Sequence, residues 1–254
     1  MVKPNQFGNY KRLLSLDKIK LRFGLHQKLH DFEVDQLFSD VKHKKFTEIQ
    51  YRYLEKGIRY QGIIDIETSD FNPYKNFIIG YVMVIRDIVT GKEELIADNI
   101  QKRDIAEAVK NDSFDFDSRL LEGLGVNMAR CDHLVGHYSS KFDIPYIRSR
   151  LLLTNQEQYI PPYGQLRFGD TWRMMKNSIK APRNTLKNLA IYTNTKDQKT
   201  HVDFEHWQRI WFKDSPQWDK SMKYIMDHCI KDVKMTVRAL KKIEKFNNIP
   251  MAMV

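Results

Sequence analysis

The sequence predicts an α/β protein: a mixed five-stranded sheet with helices on both sides, preceded by a small helical appendage. Three observations carry this. From Tyr60 onward, short apolar runs bounded by turn residues alternate with stretches of helical periodicity. The first three runs are separated only by turns and therefore pair as an antiparallel meander, whereas later runs are separated by helical segments. The first sixty residues have no strand-like run and space their apolar residues as helix faces.

Taken in order, LSLDKIKLRF offers Ser15 as an N-cap and Gly24 as a stop. HDFEVDQLFSD puts Phe32, Leu37 and Phe38 on one face, and FTEIQYRYLEKG does the same with Phe46, Ile49, Tyr53 and Leu54 before Gly57 as the C′ residue. With the basic link Lys42-His43-Lys44-Lys45, residues 1–57 read either as a helix-turn-helix-like nucleic-acid binder or as a helical cap packed on the main domain, residues 58–254. QGIIDIET, FIIGYVMVIRD and, after the Thr90-Gly91 turn, EELIAD form the meander. IAEAVKNDSFDFDSRLLEGLG is helical and breaks near Asn111-Asp112. HLVGH is the fourth strand, DIPYIRSRLLLTN a helix opened by Asp143 with Pro145 in its first turn, and LRFGDT the fifth strand. APRNTLKNLAIYT is helical, and CIKDVKMTVRALKKI is a last helix with Ile230, Val233, Val237 and Leu240 on one face and lysines on the other.

An apolar fraction of 42% over 254 residues suffices for a core and excludes global disorder. The net charge of +10 favours a polyanionic partner, nucleic acid before membrane, although a basic surface kept for solubility satisfies the charge equally. Two cysteines, Cys131 and Cys229, support neither a disulfide framework nor a four-thiolate zinc site and read as buried free thiols. The opening MVKPNQFGNYKR lacks the apolar core of a signal peptide, and the longest apolar run, Phe77 to Ile85, is too short to cross a bilayer as a helix, so a cytoplasmic location is expected.

Within the first strand, Asp65 and Glu67 are two residues apart and project to the same face. Two carboxylates that close raise one another's pKa, and Mg²⁺ or Mn²⁺, which favour oxygen ligands, would remove the repulsion. From this motif alone, solvated acids or acids paired with Lys or Arg serve as well. Two further stretches add weight. GHYSSKFDIPYI places Asp143 between a strand and a helix, and HCIKDV places Asp232 on the inner face of the last helix. An acid facing a core needs a partner, and a metal cluster shared with Asp65 and Glu67 supplies one.

The order D-x-E, F-D-x-P-Y-I, C-x-x-D-V, spread over Tyr60 to Lys245, resembles the three exonuclease motifs of the DEDD superfamily of 3′-5′ exonucleases. It is most similar to archaeal and phage-type proteins like the proofreading domain of B-family DNA polymerases, where segments similar to Lys199-Thr200-His201-Val202-Asp203 also occur. The resemblance implies an RNase H-like fold and a two-cation (Mg²⁺ or Mn²⁺) phosphodiester hydrolase. Asp65, Glu67, Asp143 and Asp232 would be the metal ligands, and single-stranded DNA or RNA 3′ ends the partner. The family usually places Tyr four residues before the last Asp or His five before; here His228 is four before and Asp227 five before. His228, with an ordinary pKa near 6.5, is apt as a general base, or else only bonds a neighbour. Tyr138 stands where the family often has Asn. Thr68, Tyr138, Lys141, Lys199 and His201 would touch nucleic acid, Arg148 and Arg150 could hold phosphates, and Phe71 and Tyr74 could stack on bases. A non-catalytic binding module and a structure-selective endonuclease on the same fold are the alternative functions.

Overall fold

The computed structural model describes residues 46–161, 165–195, 203–247 and 252–253. The first two expected N-terminal helices, the basic link, Lys199 and His201 lie outside the described residues. The third helix is α1, Glu48–Glu55. Thr47 and Gln50 close a reciprocal capping box at its start, and Gly57, at φ +67°, ends it in the left-handed region that glycine adopts without cost. Tyr53 and Leu54 are buried, and the Tyr53 hydroxyl donates to Glu244 Oε2 at 2.7 Å, so α1 is packed onto the main body.

The meander forms as the apolar runs dictate. Strands β1 (Tyr60–Thr68), β2 (Ile78–Asp87) and β3 (Glu93–Asn99) pair antiparallel, with Asp65 opposite Val82 and a register shift between Glu67 and Thr68. Then follow α2 (Lys102–Lys110) and α3 (Ser118–Ala129), broken at Asn111 as the sequence predicts. Strand β4 (His133–Gly136) runs parallel to β1, helix α4 covers Asp143–Leu153, and β5 (Arg167–Asp170) runs parallel to β4. Helices α5 (Thr171–Ser178), α6 (Leu186–Tyr192), α7 (Glu205–Arg209) and α8 (Trp218–Ile243) complete the main body. A two-residue β6, Ala252–Met253, extends the five expected strands at the far edge.

The resulting order, β3-β2-β1-β4-β5-β6, is an α/β RNase H-like sheet: an antiparallel meander on one side of β1 and parallel strands on the other. Helices cover both faces. Gly80 is so close to Met226 of α8 that a Cβ there would meet its sulfur, while the next residue, Tyr81, accepts a hydrogen bond from Asn127 of α3 at 3.1 Å. Adjacent strand residues point to opposite faces, so these two contacts lie on opposite sides of the sheet. The last helix begins at Trp218, eleven residues before the expected CIKDV start, and runs for 26 residues across β1 and β2. Its first half continues the same periodicity, with Trp218, Met222, Ile225 and Met226 buried on one face. No helix among the described residues is long and apolar enough to cross a membrane.

Candidate metal centre

The side chains of Asp65 and Glu67 share one face of β1, both half-buried. Asp143, the first residue of α4, is buried and its Oδ1 accepts the Ile66 N–H at 3.1 Å, which docks it on the backbone between the two strand acids. Asp232 is buried on α8, with Oδ2 3.6 Å from Nε2 of His228 one turn earlier. Cys229, fully buried on the same helix, places Sγ 3.5 Å from both the carbonyl oxygen and Oδ2 of Asp65. Donor atoms of Asp65, Glu67 and Cys229 all lie within 4.8 Å of one another.

Three other acids act on the Asp65 carboxyl. Burial pushes the Asp65 carboxyl well above the ordinary range, and the carboxylates of Asp143, Glu67 and Asp232 each push it further. Asp143 rises to about 7, chiefly through burial, against the lowering effect of its hydrogen bond from Ile66. A fold does not collect buried like charges without something to neutralise them. Asp65, Glu67 and Cys229 form a donor group that could hold a metal ion, with the carboxylates of Asp143 and Asp232 acting on Asp65 from α4 and α8.

The loop that delivers Asp143 is held by a residue the sequence reading passed over. Asp170, buried at the end of β5, accepts from the backbone N–H groups of Tyr138 (2.9 Å), Ser140 (3.1 Å) and Trp172 (2.9 Å) and from the Ser140 hydroxyl (2.7 Å). It thus caps α5 and closes the β4–α4 loop at once. Tyr138 is held at φ +67°, a region Asn enters several-fold more readily than Tyr. Gly136 is required there too: a Cβ would come within 2.6 Å of Ser139 Cβ and 3.0 Å of the Ile64 carbonyl. The signal in the sequence was D-T directly between a strand and a helix, an N-cap pattern.

The other residues expected at the site separate into groups. His228 is buried, with the Trp207 indole edge-on to its ring at 6.2 Å. Thr68 ends β1, half-buried; Lys141 is exposed; and Tyr138 is 46% exposed, packed edge-on to Trp172 at 5.5 Å. Phe71 and Tyr74 are exposed, with Phe71 edge-on to Phe142. Arg150 is a correction. It is buried, and its Nε and Nη2 donate to Asp117 at 3.0 and 2.7 Å and its Nη1 to the Pro73 carbonyl at 3.1 Å, so it braces the core rather than facing phosphate. A pairing over 33 residues has no local signature in the sequence.

Neither a protein-family model nor a curated protein sequence matches this chain. Among solved structures it is similar to the family B DNA polymerase from the hyperthermophilic archaeon Pyrobaculum calidifontis, with a TM-score of 0.52 and 16% identity over 74% of this chain. The match covers 25% of the polymerase, so this chain corresponds to about a quarter of that enzyme's length. At that identity the likeness establishes the fold.

Proposed function

We propose that the chain is a metal-dependent 3′-5′ exonuclease that hydrolyses phosphodiester bonds at single-stranded nucleic-acid ends. The observation that carries this is that Asp143 from α4 and Asp232 from α8 act, with Glu67 of β1, on the half-buried Asp65. The order of the motifs and the polymerase-like fold support it.

On this reading the four carboxylates hold two divalent cations. When bound, such cations activate a water and stabilise the leaving 3′-oxygen. The residues of the chain do the rest. Asp143 is fixed by the Ile66 N–H, and the loop before it by Asp170, so the carboxylate geometry is set before substrate arrives. His228, buried and next to Asp232, accepts the proton of the attacking water. Tyr138 and Lys141 flank the loop that opens α4, where an exposed ring can stack on a base and an ammonium can meet a phosphate. By the sequence resemblance alone, Lys199 and His201, outside the described residues, would also touch nucleic acid.

The test is a single strand labelled at either end and incubated with Mg²⁺ or Mn²⁺. The 3′ label should leave at once as mononucleotide, and the 5′-labelled strand should shorten stepwise. Internal cuts would point to an endonuclease, and no hydrolysis with either metal would leave a nucleic-acid-binding module.

A further inference from the structure

We infer that Cys229 makes this centre a site of inhibition by thiophilic divalent cations such as Zn²⁺ and Cd²⁺, which occupy it through a mixed oxygen and sulfur donor set. The inference rests on reading the acid cluster as a metal centre. Four carboxylates alone make a site for hard ions, with little to favour a soft one. Cys229 alters the donor set. It is fully buried on α8, its sulfur lies 3.5 Å from Asp65 Oδ2, and it shares with Asp65 and Glu67 a volume in which all donor atoms lie within 4.8 Å.

Zn²⁺ and Cd²⁺ accept thiolate and carboxylate together, and Zn²⁺ favours a small, tetrahedral ligand set. As the sulfur–metal bond forms, the S–H bond breaks and its proton leaves to solvent; no electron is transferred. The ion then holds Asp65 and Glu67, the two carboxylates on β1 that a hard cation needs, and hydrolysis stops. Burial keeps the thiol away from bulk solvent, so the metal reaches it through the acid cluster.

The chain supplies its own control. Cys131 is the one other cysteine, buried near the start of β1, where a Cβ on Gly62 would lie 2.8 Å from its sulfur. Titrating the full-length protein with Cd²⁺ should give the ultraviolet thiolate-to-metal charge-transfer band. The band should persist in Cys131→Ser and vanish in Cys229→Ser. Cys229→Ser should weaken Cd²⁺ binding by about tenfold or more relative to its effect on Mn²⁺ binding, the latter read by loss of the free-ion EPR signal. Cadmium NMR on the wild-type protein needs no variant and should report one sulfur ligand.

A charge-transfer band that survives Cys229→Ser, or an all-oxygen cadmium resonance, would overturn the proposal. A Cys229-dependent band in a protein that cleaves no strand with Mg²⁺ would support the mixed oxygen and sulfur site while overturning the exonuclease reading and, with it, the inhibition. The two failures are therefore distinguishable.

Discussion

The two ends of β1 handle buried polarity in opposite ways. Gln61, Asp65 and Glu67 lie on the same face of this strand, four and then two residues apart. At the Gln61 end the buried Arg86 and Glu244 are paired with each other. Arg86 Nη2 donates to Gln61 Oε1 at 2.6 Å and to Glu244 Oε2 at 2.9 Å, Tyr53 donates to the same Glu244 oxygen, and Gln61 Nε2 lies 3.1 Å from His133 Nδ1. Burial and the nearby Arg167 and Arg86 lower His133 to about 3, so it stays neutral at ordinary pH. Asp132 accepts the N–H groups of Arg59 and Tyr60 and pins the start of the strand. At the Asp65 end, carboxylates face carboxylates. One end is built to hold the fold together; the other gathers acids that a retained proton or a bound cation would neutralise. Burial alone does not mark a functional group, whereas burial among like charges does.

Asp65→Asn separates the ends most sharply. Hydrolysis should fall below detection in the labelled-strand assay, while the thermal midpoint of the metal-free protein should rise, because a neutral amide relieves the repulsion from Asp143, Glu67 and Asp232. A lower midpoint would place Asp65 with the matched end. His228→Ala should slow the single-turnover rate by about 10²–10⁴-fold if the imidazole takes the water's proton; a loss below about threefold would make it a packing residue. Arg86→Ala should show the reverse profile. Leaving Glu244 buried without its guanidinium should cost about 3–5 kcal/mol in denaturant unfolding, with hydrolysis by the folded protein nearly unchanged.

The smallest effect is in pH. The Asp143 carboxyl stands at about 7 in the folded chain against an ordinary 3.8, so the folded state keeps a proton that the unfolded chain gives up. The associated stability is fully present below 3.8 and is lost as pH rises through about 7. Metal-free protein should therefore melt lower at about pH 8 than at about pH 5, and Mn²⁺ should narrow the gap. A metal-free midpoint that does not fall would argue against a strained cluster.

Much of this was legible in the linear chain. The apolar runs predicted the meander and the parallel strands, and the D-x-E, F-D and C-x-x-D spacings named the four acids that the proposed site uses. Those signals are local: strand alternation, helix periodicity and turn residues act over a few positions. Asp170 was read only as part of the fifth strand, LRFGDT, and nothing local marks it as the anchor of a loop thirty residues away. Arg150 looked like a surface base because nothing near it in sequence names Asp117 as its partner.

What the sequence by itself determined is therefore the set of strands, most of the helices, and four acids on elements suited to bring them together. Tertiary structure alone decided which buried charges are matched and which are opposed, and that Cys229 faces Asp65 across 164 residues. The physical reason is the same in each case. Electrostatic pairing and burial depend on which elements pack against each other in space, and that information lies in no window of the chain.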